Sequence, residues 1–331
     1  MTDKFQARFE SVSAAADFLG NGAIEINRYE PEIVDEVVRS SVFLNRVSAK
    51  PATGHPHRYF EQLNIGTAAF NDPRNLTPAA TGPQRVERTA FIKAITVQTN
   101  LSLFDVDVTK QQGQFSYLEA KDIQDAVNAI LRLEAAAVWN GNDTSLSNPT
   151  TQQYMGLLNQ IMQTATIGNG SSIVDGLKAQ VASMIARTDF DSDPTAIYVN
   201  PKLANYIAQE CKAMGLVLDT VEVKAGVKVS AIQTEAGLLP LISERWLPYT
   251  NAAAFGFSAP PSGFNNYFAV IMTERMVEMP YIDGGQGNPK PRIFQLGLLG
   301  GLQGQYVAVH FNAVLAKGPT YAHSIVAVVR P

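Results

Sequence analysis

The strongest constraint on this chain is a stretch near its middle, Ser116–Asp143, SYLEAKDIQDAVNAILRLEAAAVWNGND. It predicts one long helix. Ser116 followed three residues later by Glu119 has the form of a capping box, in which the hydroxyl and the carboxylate satisfy free N–H groups of the first turn. Ile123, Val127, Ile130, Glu134 and Val138 recur at helical spacing, and all but Glu134 are apolar. Alanines raise the helix propensity and keep the surface thin. Asn140-Gly141 supplies a stop that tolerates positive φ. At about 1.5 Å per residue this is a beam of roughly 35 Å, with one apolar stripe to lay on something flat. Asp122, Asp125, Arg132 and Glu134 are expected to face solvent or a partner.

What flanks the beam does not look able to fold alone. Residues 1–30 carry isolated aromatics with no sustained period and read as an extended arm. Pro31 opens a predicted helix, PEIVDEVVRSSVFLNRV, with proline suited to the first turn and Arg46 to the last. Next, His57–Ile65 and Arg85–Gln98 are strand-like runs joined by a loop rich in Pro, Gly, Asn and Thr. Together they predict a long two-stranded arm in which neither face is clearly the wet one. An isolated hairpin is marginal in water, and so long a connection is usually functional or disordered. Arg85, Glu87, Arg88, Phe91 and Lys93 on the returning strand are the candidate inter-subunit contacts.

Beyond the beam, helices are expected at Ser172–Arg187 and Pro201–Met214, and a strand at Thr195–Val199. Further strands are expected at 221–223, 227–234, 238–242, 252–257 and 267–273. Turns are expected at Asn200-Pro201, Gly237 and Pro240. Arg292–Val329 reads as nearly all strand.

Composition removes several classes of function. The chain has 331 residues, 46% of them hydrophobic, and a net charge of −4 with no basic run, which disfavours sequence-specific nucleic-acid binding. A single cysteine excludes an intrachain disulfide framework and fits a reducing cytoplasm. No apolar run approaches the roughly 20 residues of a membrane span.

Candidate chemistry is sparse. His55-Pro56-His57 lacks the further ligands of a metal site. Asp189, Asp191 and Asp193 begin like a calcium loop, but Pro194 stands where glycine must turn and Asn200 where the bidentate glutamate belongs. Cys211 lies on a helical apolar row and reads as a buried thiol. Gly297, Gly300, Gly301 and Gly304 read as strand bends and not as a phosphate loop. No catalytic residue, metal or cofactor is expected.

The order of parts resembles the major capsid protein of tailed bacteriophages of the Hong Kong 97 type. Four short signals carry this. They are EIVDEVVRSSVFLNRV before the hairpin, the helix ending AAAVWNGNDTS with Tyr154–Leu158 after it, AIYVNPKLANYI, and VSAIQTEAGLLPLISERWLP. The resemblance implies an α+β chain with an N-terminal arm (1–48) and an extended β-hairpin loop (49–99). It also implies a peripheral domain with a long spine helix (100–149 and 291–331) and an axial α/β domain (150–290). It implies a homo-oligomer of pentamers and hexamers in an icosahedral shell, assembled in the host bacterial cytoplasm and becoming part of the virion. That shell would enclose double-stranded DNA held without specific contacts, and no membrane. Only 30 residues precede Pro31, so a separate scaffolding protein is expected in place of a fused one; portal and decoration proteins are further expected partners. Some members weld subunits by an isopeptide bond from a loop lysine. Lys93 could reach a neighbour, but no motif matches the crosslinking constellation, so it reads as solvated or salt-bridged. The alternatives are an encapsulin-like compartment shell and, more distantly, a soluble α/β enzyme.

Overall fold

The computed structural model describes residues 41–331 except 69, 71, 73, 75–81, 113–117, 216–217, 225–226, 288 and 300–302. The predicted arm, most of the Pro31 helix, Ser116 with its capping box, and most of the hairpin tip lie outside the described residues. In chain order the elements begin with β1 (Ser48–Pro51), β2 (His57–Asn64), β3 (Gln84–Ala90) and β4 (Lys93–Ser102). Then come α1 (Leu103–Gln112), α2 (Leu118–Asn140), α3 (Leu157–Gln160), β5 (Thr164–Ile167) and α4 (Ile173–Ile185). β6 (Ala196–Val199), α5 (Pro201–Ala213), β7 (Asp219–Lys224), β8 (Val227–Thr234), β9 (Gly237–Ser243) and β10 (Tyr249–Thr250) follow. The chain closes with β11 (Asn265–Met272), β12 (Val277–Ile282), β13 (Arg292–Leu299), β14 (Gln303–Asn312), β15 (Leu315–Ala316) and β16 (His323–Arg330).

Two sheets carry the fold. In the first, β14 is flanked by antiparallel β13 and β4, and at its end it meets β12, which β1 and β15 extend. The second has the order β5-β16-β11-β6-β9-β8-β7, with β10 on β11. Its central strands are buried on both faces and read as continuous apolar runs. Their period of two divides two cores. Tyr267, Ala269 and Ile271 of β11 face Leu177, Val181, Leu203 and Ile207 of α4 and α5. Phe268, Val270 and Met272 face a second cluster with Trp139, Leu157 and Phe43. That second cluster is where the long helix, residues 41–47 and the eight-stranded sheet meet.

The long helix is Leu118–Asn140, close to its predicted span. Ala126, Ile130 and Val138 are buried, while Ile123 and Val127 are half-buried. Two expectations about it change. Glu134, expected at the wet side, is only 3% exposed. It accepts a hydrogen bond from Asn312 Nδ2 and lies 3.4 Å from His310 Nδ1. A carboxylate can be buried there because β14 brings polar partners to it. Gly141 does not take a positive φ; it is required for close approach. A Cβ there would stand 2.2 Å from Tyr154 O and 2.8 Å from Gly156 N, and a Cβ on Gly156 would stand 2.4 Å from Gly141 N. The two glycines let the chain cross itself, sealed by Gly156 N donating to Gly141 O at 3.1 Å.

Other corrections follow from pairing. Residues 85–98 are not one strand. Phe91 and Ile92 interrupt them, and β4 leaves the hairpin to pair with β14 along ten residue pairs, Lys93↔Asn312 to Ser102↔Gln303. On β4 the faces do separate: Lys93 and Ile95 are buried, and Ala94, Thr96, Gln98 and Asn100 are exposed. Pro240 is no turn. It lies buried within β9 opposite Ala231, and pairing with β6 begins only at Leu241. Gly237 does turn, with φ 96°, at the β8–β9 hairpin. Residues 252–257 make a tight turn closed by an Ala254–Phe257 bridge, with Phe255 at φ 53°. Nothing in the sequence predicts helix α1, since its apolar residues have no helical period. Asn200 and Pro201 behave as read: Asn200 caps α5 by accepting from Lys202 N at 3.0 Å, and proline follows at the first turn.

A boundary at residue 291 cuts across the sheets. β16, at the C-terminal end, lies between β5 and β11 of the eight-stranded sheet, while β12, before the boundary, belongs to the other.

Candidate functional site

The hairpin β2–β3 is a two-stranded sheet on its own, with register His57↔Ala90 to Gln62↔Arg85 and an irregularity before Asn64. Its polar side chains pair across the strands, Arg58 with Glu87 at 3.1 Å and Arg88 with Glu61 at 3.2 Å. Such exposed pairs contribute about 0–1 kcal/mol each, so they set register more than they stabilise. Ala90 at its base is buried, and Tyr59 and Val86 are half-buried, but its larger aliphatic and phenyl side chains stay outside the cores. Phe60 is 72% exposed and Ile65 84%, and Leu63 and Phe70 are also exposed. Four large apolar side chains left in solvent on one short hairpin are more than the scattered single exposures that need no explanation.

The base of the hairpin is fastened to the turn before β16. Glu61 Oε1 accepts from Gly318 N at 3.1 Å, and Lys317 Nζ lies 5.3 Å over the Tyr59 ring. Lys317 also pairs with Glu278 at 2.7 Å, and Glu278 takes a second hydrogen bond from Lys50. Burial pushes the Tyr59 hydroxyl up to about 12, helped by the nearby Glu61 charge. At Glu278 burial works upward, but the hydrogen bonds from Lys317 and Lys50 outweigh it and hold the carboxyl below its usual value. A groove of about 400 Å³ opens between the hairpin and this turn, walled by Tyr59, Arg88, Met162, Phe190 and Tyr321.

The predicted contact residues divide. Arg85, Glu87 and Arg88 are exposed on β3. Phe91 and Lys93 lie beyond the hairpin. Phe91 N donates to Leu146 O at 2.9 Å, and its ring meets His55 edge-on at 5.3 Å. Lys93 is neither solvated nor on an arm. Its ammonium is buried, donating to Asn148 O and Thr151 O at 2.6 Å each, with Asp143 at 4.0 Å. The loop after the long helix wraps that charge, which ties β4 to it.

Among the described residues no group of three or more His, Cys, Asp or Glu is placed to hold a metal ion. Cys211 is buried, and burial pushes its thiol up, with the Glu210 charge adding to it. Asp191 pairs with Arg275, at 3.5 Å and in the open.

The first residue of β16, just after the anchoring turn, is a group sensitive to acid. His323 is wholly buried; its Nε2 lies 3.1 Å from Lys317 O, and its Nδ1 has no hydrogen-bond partner among the described residues. Burial lowers its pKa to about 4, and burial also lowers that of His57 at the hairpin base. With the folded value below the unfolded one, the unfolded chain takes up a proton that the folded chain refuses. Stability is therefore expected to fall as pH drops from about 6.5 to about 4, by up to about 1.4 kcal/mol per pH unit for His323. Glu278 acts in the same direction at lower pH. Urea midpoints measured at intervals between pH 7 and 4 check this; His323→Gln should flatten the slope, and an unchanged slope would refute the assignment.

No protein-family model matches the sequence, and no curated protein does. Solved structures do. The chain is similar to the holo-SrpI encapsulin complex from Synechococcus elongatus PCC 7942, at 15% identity over 95% of this chain and 94% of that one, TM-score 0.60. A structure from Gordonia phage Cozz matches at 12% identity over 93% and 92%, TM-score 0.61. The capsid of Myoviridae phage XM1 matches at 10% identity over 93% and 100%, TM-score 0.59. The fold is the Hong Kong 97 type, as the sequence resemblance implied. It is mixed α and β, built around a long helix, two sheets and a projecting hairpin.

Proposed function

We propose that this chain is the major capsid protein of a tailed bacteriophage, a structural subunit and not an enzyme, which assembles through pentamers and hexamers into an icosahedral shell around double-stranded DNA. One observation carries the reading. A hairpin that keeps the large apolar side chains Phe60 and Ile65 exposed among the described residues is fastened through Glu61 and Tyr59 to the turn before β16. That arrangement suits gripping a second copy. Gripping several neighbours at once multiplies modest interfaces through effective concentration. Arg85, Glu87 and Arg88 are the polar contacts of the grip.

The division of labour follows the sheets. Residues before β1 form the arm, and β2 to β3 the loop. The six-stranded sheet with the long helix is the peripheral part, and the eight-stranded sheet with α4 and α5, including β16, is the axial part. A net charge of −4 fits a shell that encloses DNA without gripping it. Scaffolding, portal and decoration proteins are the further partners this role calls for. The shell belongs to the virion and forms in the host bacterial cytoplasm.

A second reading, a compartment shell with protein cargo, is favoured by the similarity to an encapsulin complex. Electron microscopy and nucleic-acid analysis of particles made in the native host separate the two. Packaged genome supports the capsid; particles with protein cargo and no genome support the compartment. A chain that stays monomeric under all conditions refutes both.

The hairpin supplies the sharper test. Replacing Gly66–Pro83 by a short Gly-Ser turn, with Phe60→Ser and Ile65→Ser on the remaining strand, should leave the melting transition unchanged and abolish particle formation, as read by sedimentation. If the deletion unfolds the subunit, or if particles still form, the hairpin is not the grip.

A further inference from the structure

Two Asn-Gly pairs lie among the described residues, and the structure treats them oppositely. This dipeptide is chemically vulnerable because glycine places no side chain between its own amide nitrogen and the preceding asparagine. That nitrogen, once deprotonated, attacks the asparagine Cγ. Ammonia leaves and a five-membered succinimide closes; water then opens the ring at either carbonyl, giving aspartate or isoaspartate. The balance is one amide and one water in, one carboxylic acid and one ammonia out, with no oxidant or cofactor. The reaction needs a free backbone N–H and room for the ring.

Asn140-Gly141 offers neither. Gly141 N donates to Ala137 O at 2.8 Å as the last turn of the long helix. The backbones of Tyr154 and Gly156 crowd Gly141 so closely that even a methyl group would collide.

Asn169-Gly170 offers both. It sits at the tip of the turn between β5 and α4, and both residues are exposed. A Cβ on Gly170 would meet nothing within 4 Å, and Gly170 stands at φ 87°, a conformation with little cost for glycine alone. Gly170 N makes no hydrogen bond with another described residue. The bonds of the turn are made on either side. Ser171 N donates to Gly168 O at 3.3 Å. Arg330 at the end of β16 donates to Gly168 O at 3.0 Å and to Ser171 O at 2.6 Å. The ends of the turn are tied and its middle is open.

We infer that Asn169 is a site of spontaneous deamidation in the folded protein and that Asn140 is protected by the fold. The consequence is local and directional. The new carboxylate enters a surface recess shared by Arg330 and Glu210, and Glu210 already caps α4 by accepting from Ile173 N at 2.9 Å. Isoaspartate also adds a backbone carbon between Gly168 and Gly170. That moves the two carbonyls off the Arg330 guanidinium and loosens the staple between β16 and the β5–α4 turn. The mark accumulates with age and alkalinity and requires no enzyme.

The test uses the full chain as purified. Samples are incubated at pH 5, 7 and 9, digested, and the peptides holding residues 140 and 169 are assayed for loss of the side-chain amide and for isoaspartate. The expected result is loss of the amide at 169, faster at each higher pH, with 140 intact. In denaturant both sites should react alike, since the protection of 140 belongs to the fold. Asn169→Gln should remove the signal without changing the 140 peptide. Retention of the amide at 169 in folded protein under conditions that consume it in denaturant overturns the inference. So does equal reaction at 140 and 169 in the folded state.

Discussion

Gly141→Ala is expected to be among the most damaging single substitutions in this protein, removing about 3 kcal/mol or more of stability. The added methyl would stand 2.2 Å from Tyr154 O, and its other neighbours, Ala137 O and Gly156 N at 2.8 Å, are backbone as well. None can rotate aside as a side chain could. Relief requires the helix end or residues 154–156 to move, and either movement breaks bonds. Gly156 N then loses Gly141 O at 3.1 Å, and Asn159 Nδ2 loses the same oxygen at 2.6 Å. The crossing also positions Tyr154, Leu157 and Leu158 in the core against Trp139, so packing is lost with the hydrogen bonds. Since a domain's whole stability is about 5–15 kcal/mol, much of the protein should be recovered as aggregate. Gly168→Ala is the control: the same methyl meets nothing within 4 Å and should be neutral or slightly stabilising. Denaturant midpoints of the two variants check the contrast, and equal midpoints would refute the crossing as the cause.

How far the sequence could be read follows from where each feature's cause lies. The long helix was legible because its determinants are local: apolar spacing, alanine content and a glycine after Asn140. The reason for that glycine was not, because it lies in Gly156, fifteen residues on and outside any pattern of period. Glu134 reads as solvent-facing because charge normally stays wet; its burial depends on Asn312 and His310, supplied by a strand about 180 residues later. Lys93 shows the same limit. It sits in an alternating run that continues the hairpin, and only pairing with β14 shows that the run changes sheets at Phe91. β16 was recognised as a strand from its apolar run, but nothing in that run says which sheet it joins. For the candidate site, the existence of a long hairpin was legible from two runs and a polar loop. Its anchor was not: Glu61 meets Gly318 across 257 positions. The short motif resemblances did better than periodicity here, because they carry the order of parts that long-range pairing imposes.

Phe43→Ala should cost about 3–5 kcal/mol, and the loss should reach beyond the subunit into assembly. Phe43 is fully buried, with its ring centroid 4.7 Å from Trp139 and 5.3 Å from Tyr198. It therefore joins the end of the long helix to the eight-stranded sheet. Around it the chain is held by two carboxylates. Glu244 accepts from Phe43 N at 2.9 Å and Ser41 Oγ at 3.0 Å, while Glu274 takes Arg46 in a bidentate pair at 2.7 and 2.8 Å. Burial, with the Glu274 charge, pushes the Tyr198 hydroxyl far up, so it stays protonated and donates to that same carboxylate. Residues 41–47 are thus a plug whose polar groups are satisfied only when the ring is seated; emptying its socket leaves a cavity and slackens the bonds together. If the preceding residues grip neighbours, any pull on them is borne at this plug. Phe43→Leu, which keeps most of the volume, should lose far less stability and assemble normally. Phe43→Ala should assemble poorly even at a temperature where its unfolding curve shows the subunit still folded. Normal particle yield from folded Phe43→Ala subunits would mean that the plug stabilises the subunit alone and transmits nothing to the shell.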